Sequence, residues 1–179
     1  MPRRVLILFA HPALHRSRIN AALAGAVQGL AAVTFHDLYE EYPTLHLDVE
    51  REQALLLEHD VIVWQHPFYW YSAPAILKEW MDVVLEYGFA YGEGGTRLHG
   101  KQVLSALTTG GPEAAYQHGG YNHYTMRELL APFDQTARLC GMEYLDPFIL
   151  HGVRSLSDLE VKAAAASYQQ RVLELRDAV

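Results

Sequence analysis

The chain has 179 residues, half of them hydrophobic, and 14 Lys and Arg against 21 Asp and Glu leave it a formal charge of -7. That length suits one domain over residues 1–179, large enough to bury roughly 70% of its unfolded surface without covalent staples. The acidic balance and the absence of any Lys/Arg run speak against nucleic acid as a partner. Cys140 is the single cysteine and cannot form an internal disulfide, and Val5 to Ala10 followed by His11-Pro12 is too short for a signal peptide. A reducing, cytoplasmic compartment and no membrane span are expected. The 10 histidines invite a metal, but Pro12 spoils helical spacing between His11 and His15 and no second thiol exists, so no metal site is expected.

Apolar runs alternate with helix-like periodic segments along the chain, the pattern of a parallel sheet covered on both faces. Val5 to Phe9 is the first strand, and a helix from about Ser17 aligns Ile19, Leu23, Val27 and Leu30. Val33 to Leu38 is a less apolar strand suited to an edge, followed by a short helix around Asp48 to His59. The third strand, Val61 to Gln65, runs into the aromatic segment His66-Pro67-Phe68-Tyr69-Trp70-Tyr71, and Pro74 opens a helix carrying Leu77, Trp80, Val84 and Tyr87. Gln102 to Thr108 is the fourth strand. The helix marked by Met126, Leu130, Phe133, Ala137 and Cys140 must kink or restart at Pro132, whose ring clashes with the preceding turn. Glu143 to Leu150 supplies strand five, and a last helix spans about Ser157 to Arg176. Five strands and five helices predict an α/β fold, a doubly wound five-stranded parallel sheet of order 2-1-3-4-5, with a crevice beyond the carboxyl ends of strands one and three.

The loops after strands one, three and four therefore carry the candidate site. In the first, Ser17 is an N-cap candidate whose helix end favours an anion, with His11, Asn20 and Arg16 or Arg18 as further donors; an ordinary capped helix with solvated arginines fits the same residues. In the second, the aromatic cluster needs a cover, either a planar cofactor or a second subunit. In the third, Thr108-Thr109-Gly110-Gly111 is either a plain tight turn or a main-chain cradle that suits the pyrimidine edge of a flavin. Tyr116, His118, Tyr121 and His123 crowd the long loop that follows, where a His could supply a proton. Neither GxxxxGK[ST] nor GxGxxG occurs, which speaks against NTP hydrolysis and a dinucleotide fingerprint. A phosphate seat, an aromatic wall and a main-chain cradle together describe a flavin mononucleotide moiety.

Three stretches make that expectation specific: Trp64-Gln65-His66-Pro67-x-x-Trp70-Tyr71-Ser72-x-Pro74, Ala90-Tyr91-Gly92-x-Gly94-Gly95-Thr96-x-Leu98-His99-Gly100-Lys101, and Thr108-Thr109-Gly110-Gly111. In order and over nearly the whole chain, they resemble the flavodoxin-like NAD(P)H:quinone oxidoreductases, most nearly the ancillary proteins of bacterial glutathione-regulated potassium-efflux systems. The resemblance implies a homodimer that binds FMN, or alternatively FAD, and passes hydride from NAD(P)H through flavin N5 to a quinone. It implies phosphate contacts at His11, Ser17, Arg18 and Asn20. It implies a ring wall at Pro67, Phe68, Tyr69, Trp70 and Tyr71, a pyrimidine-edge cradle at Thr108, Thr109, Gly110 and Gly111, and catalytic roles for Tyr116 and His123. It also raises an alternative: a regulatory subunit docked on a potassium-efflux antiporter, peripheral at the inner membrane through that partner.

Overall fold

Apolar residues in an unbroken run can be buried only where both faces of a sheet are covered, and Val5–Phe9 (β1) is fully buried along its length. The computed structural model describes residues 2–178. After β1 come α1 (Arg18–Val27), β2 (Val33–Asp37), the one-turn α2 (Leu38–Glu41), α3 (Val49–Glu58), β3 (Val61–Pro67), α4 (Ala75–Val84) and β4 (Gln102–Thr108). The chain ends with α5 (Met126–Leu129), α6 (Ala131–Leu139), β5 (Glu143–Tyr144), β6 (Phe148–Leu150) and α7 (Asp158–Asp177). All pairings are parallel and the order is β2-β1-β3-β4-β5, with β6 also on β4. On one face α1 and α7 lay Ile19, Leu23, Tyr168 and Val172 against Val5, Ile7, Val61 and Val63. On the other, α2, α3, α4 and α6 lay Leu38, Leu56, Trp80 and Phe133 against Leu6, Leu8, Ile62 and Trp64.

The expected fifth strand is two short ones in a single lane. Leu145 still donates to the Val103 carbonyl at 2.9 Å, but Pro147 has no N–H, and the ladder resumes only where Phe148 faces Ala106. The break at Pro132 is real: α5 stops at Leu129 and α6 restarts with the proline in its first turn. Two residues expected on helices lie beyond them. Leu30 follows a chain reversal at Gly29 (φ 78°), and Tyr87 follows the end of α4, its exposed ring packed edge-on to Tyr91 at 5.8 Å.

A buried carboxylate ties the second layer together. Glu52 of α3 is fully buried and accepts from His36 Nε2 (2.7 Å), the Tyr42 hydroxyl (2.7 Å) and Trp80 Nε1 (2.8 Å). Burial pushes its pKa up, but these donors outweigh burial and hold the carboxyl below its ordinary value. In Glu52→Gln one amide oxygen can replace Oε1, but the amide NH₂ then faces the Trp80 N–H, donor against donor. The substitution is expected to cost about 2 kcal/mol or more, read as a lower urea midpoint at unchanged m. A depressed folded pKa gives stability that is complete above the unfolded value of about 4.3 and is lost as pH falls through the folded one. The gap between wild type and variant should therefore narrow below about pH 4, and a midpoint equal to wild type at pH 7 would refute the assignment.

Candidate functional site

The loops after β1, β3 and β4 meet at one end of the sheet because these three strands are neighbours and all parallel. Ser17 caps α1, its Oγ accepting from the Asn20 N–H at 3.2 Å. The Asn20 side chain donates to Ser17 Oγ (3.0 Å) and to Thr108 Oγ1 (3.2 Å), bolting the first loop to the fourth strand. Among the described residues the N–H groups of Arg18 and Ile19, which lead the helix, find no acceptor in the chain. His11 is buried beside them, and its Nδ1 accepts from the Ala13 N–H at 3.1 Å. Burial holds its pKa below the ordinary value, so at pH 7 the ring is neutral and carries its proton on Nε2, a donor without charge. The Arg18 guanidinium does not join this seat; it leaves for Asp158 and for the Leu156 carbonyl (2.5 Å) at the start of α7.

Beyond β3 the aromatic segment folds back sharply. Pro67 is buried at the end of the strand and Phe68 is half-buried, while Ser72 donates its N–H to the Tyr69 carbonyl at 3.0 Å. Between them Trp70 (φ 50°) and Tyr71 (φ 60°) both take left-handed backbone, a turn of type I′ built from two aromatic residues where Gly or Asn is the usual choice. Each such residue costs roughly 1–2 kcal/mol. Little contact repays Trp70, which is 92% exposed. Tyr71 stands edge-on to Phe68 at 6.4 Å and donates to Asn122 Oδ1 at 3.1 Å. Phe68, Trp70, Tyr71, Tyr116, Tyr121 and Asn122 line one cavity of about 290 Å³.

The glycine turn is held from behind by the loop after β6. Thr109 donates its N–H to Leu150, Val153 to Thr109 and Gly152 to Gly111, at 2.9, 3.1 and 2.9 Å. Gly110 is exposed, and a Cβ there would meet only the Arg154 side chain at 3.6 Å, so nothing in the chain itself requires glycine. Tyr116 is buried beside this turn, its hydroxyl near the Thr109 hydroxyl and the Gly111 N–H; burial pushes its pKa up against both. The histidine against Tyr116 is His151, with ring centroids 5.4 Å apart, whereas His123 is exposed on the outer arm of the long loop with φ 63°. His151 and Arg154 escaped sequence reasoning because only the loops after strands one, three and four were considered; a His-Gly pair at the carboxyl end of strand five was the available signal. Two buried polar atoms at the end of β3 have no partner, Gln65 Nε2 and His66 Nε2. His66 donates from Nδ1 to the Pro67 carbonyl (2.9 Å), and burial pushes its pKa down to about 4, so it stays neutral.

The chain has relatives that match it over nearly its whole length. Over 169 residues the chain is 48% identical to the glutathione-regulated potassium-efflux system ancillary protein KefG of Yersinia enterocolitica, covering 94% of this chain and 92% of that one. The general stress protein 14 of Treponema denticola, solved in complex with FMN, superposes with a TM-score of 0.90 at 38% identity, over 96% of this chain and 98% of that one. An NADPH-quinone reductase from P. pentosaceus gives 0.87 at 35% identity, over 98% and 99%. A structure described as a thermophilic tryptophan halogenase from Streptomycin violaceusniger gives 0.92 at 45%, over 94% and 98%. A family model described as a flavodoxin-like fold matches residues 3–172, and the chain belongs to that family.

Proposed function

We propose that this protein is a flavoenzyme, an NAD(P)H:quinone oxidoreductase with FMN as its cofactor and residues 1–179 acting as one flavin-binding domain. The observation that carries the proposal is the convergence at one strand end of a helix start with two unpartnered amides, an aromatic turn and a glycine turn exposed at Gly110, joined by Asn20 and Thr108. The donor set fits the cofactor. The Arg18 and Ile19 amides, the Ser17 hydroxyl and the neutral His11 would hold a phosphate at the positive end of α1, with Asn20 fixing Ser17 in place. Pro67, Phe68, Tyr69, Trp70 and Tyr71 would flank the ring system, and the turn Thr108, Thr109, Gly110 and Gly111 would face its pyrimidine edge with the Gly110 and Gly111 N–H groups as its main-chain donors. The same donors accept the mononucleotide end of FAD, the alternative cofactor.

Bound flavin supplies a two-electron store that takes hydride from NAD(P)H and returns it to a quinone. The chain's own contribution is positioning: the aromatic turn offers one planar slot that the two substrates would occupy in succession, a ping-pong order. Tyr116 holds a proton in a buried place beside the glycine turn, and His123 stands exposed on the same loop. The FMN complex of the Treponema denticola neighbour and the NADPH-quinone reductase neighbour support this chemistry.

A second function is favoured by the KefG relatives: docking on a potassium-efflux antiporter as an ancillary subunit, peripheral at the inner membrane. No helix among the described residues is long and apolar enough to cross a membrane. Exposed Trp70 and Tyr71 would also meet a second copy of the chain in a homodimer.

Purified protein is expected to be yellow, to release FMN of the right mass on denaturation and to oxidise NAD(P)H with benzoquinone. A colourless protein that takes up neither FMN nor FAD would sink the proposal. Trp70→Asn should relax the left-handed strain with little packing lost, raising unfolding stability by about 0.5–1 kcal/mol while quinone turnover falls at least several-fold. Unchanged turnover would show that the indole has no part in the slot.

A further inference from the structure

One histidine in contact with the site has no role in the chemistry above. His151 leaves β6 with Nδ1 3.0 Å from Thr109 Oγ1 and its ring against Tyr116. Counting protons settles which atom donates. Thr109 has one hydroxyl proton and sits 2.8 Å from the Gly111 carbonyl, which can only accept. Thr109 therefore donates to Gly111 and accepts from His151. Nδ1 carries the imidazole proton, and the neutral ring keeps its lone pair at Nε2. The Tyr116 hydroxyl reaches the same Thr109 hydroxyl. Thr109 is thus hydrogen-bonded to the imidazole and adjacent to the phenol, whose ring packs on the same imidazole at 5.4 Å, and with Thr109 1% and Tyr116 7% exposed the cluster is shielded from bulk water. No comparable contact joins His123 to Tyr116 among the described residues.

We propose that His151 is a positioning residue of this site, acting through Thr109 to restore the proton on Tyr116, so that His151 and not His123 is the histidine coupled to that phenol. The use of the proton rests on the quinone-reductase function; the coupling itself does not. After Tyr116 has given its proton to the anion of a newly reduced quinone, the Thr109 hydroxyl swings from Gly111 and passes its proton to the phenolate. Thr109 takes the Nδ1 proton of His151 in return, Nε2 takes one from water, and the resulting Nε2–H ring returns to the Nδ1–H form by proton exchange with water before the next turnover. One proton enters, one is delivered, and no electron moves. The ionisable groups facing His151 from the adjoining loop are Tyr116 and Glu113, the carboxylate opposing the lowering of the histidine's pKa by burial, while Arg154 of its own loop lies against Gly110.

The first test uses flavin-free protein. Nitrogen-15 NMR of the wild type should show neutral His151 in the Nδ1–H form, and Thr109→Val should return it to the Nε2–H form that free imidazole prefers. The second uses the holoenzyme. His151→Asn keeps an N–H for Thr109 but cannot relay, so it should lower kcat at least tenfold with KM for NAD(P)H and FMN affinity within about twofold, and should remove the histidine limb of the pH profile. His123→Asn should keep that limb. An Nε2–H tautomer in the wild type, or a limb that vanishes with His123 and persists without His151, overturns the proposal. A protein that shows the Nδ1–H tautomer but reduces no quinone would defeat the proposed function and leave the coupling standing.

Discussion

Pro67 stands opposite Thr108, the last position at which β3 and β4 pair, and Phe68 extends the contact by donating its N–H to the Thr108 carbonyl at 2.9 Å. The rest of the crevice depends on this register. Because β3 runs beyond its pairing with β1, which ends at Phe9 and Gln65, the aromatic turn is carried past the first loop and set beside the glycine turn. A one-residue slip would exchange the faces of β3, sending Gln65 and Val63 toward α6 and Trp64 and His66 toward α7. Tyr168 guards against that slip from below, its buried hydroxyl donating to Gln65 Oε1 at 2.8 Å.

The proposed phosphate seat would be built from dipoles in place of charges. His11 is neutral through burial, Arg18 is engaged at α7, Asn20 spends its two amide protons on Ser17 and Thr108, and the donors that remain are backbone amides, a hydroxyl and the neutral imidazole. Amides at a helix start are fixed before a ligand arrives and lose little entropy on binding, whereas a long guanidinium must be immobilised. In a chain of formal charge -7 this keeps a local anion site without a basic patch that would attract polyanions indiscriminately.

Most of the fold could be read from the sequence because parallel strands leave a strong local signature. Val5–Phe9, Val61–Pro67 and Gln102–Thr108 are apolar runs too short for helices, and Pro132 announced its own break. The lane of Glu143 to Leu150 was read as one strand because the missing N–H of Pro147 interrupts pairing without changing the apolar pattern. Within the site, Ser17, Asn20 and Thr108 carried local signals of capping and strand ends. The direction taken by Arg18 did not, since its partner Asp158 lies on the last helix. Glu52 reads as one more charge on an acidic helix; only the tertiary meeting of His36, Tyr42 and Trp80 makes it a buried hub.

That hub bears on the site through α4. Two left-handed aromatic residues would relax if either end of their turn could move. One end is the fully buried β3, paired on both sides. The other is α4, which begins directly after Pro74 and whose Trp80 is bonded to Glu52 and thereby to β2 and the segment after α2. Fixed ends hold the segment between Pro67 and Pro74 to a span that permits the tight turn, and the strain remains where Trp70 meets solvent. The stability of the polar hub and the shape of the crevice are in this sense one property, because the turn keeps its form only while the helix behind it stays anchored.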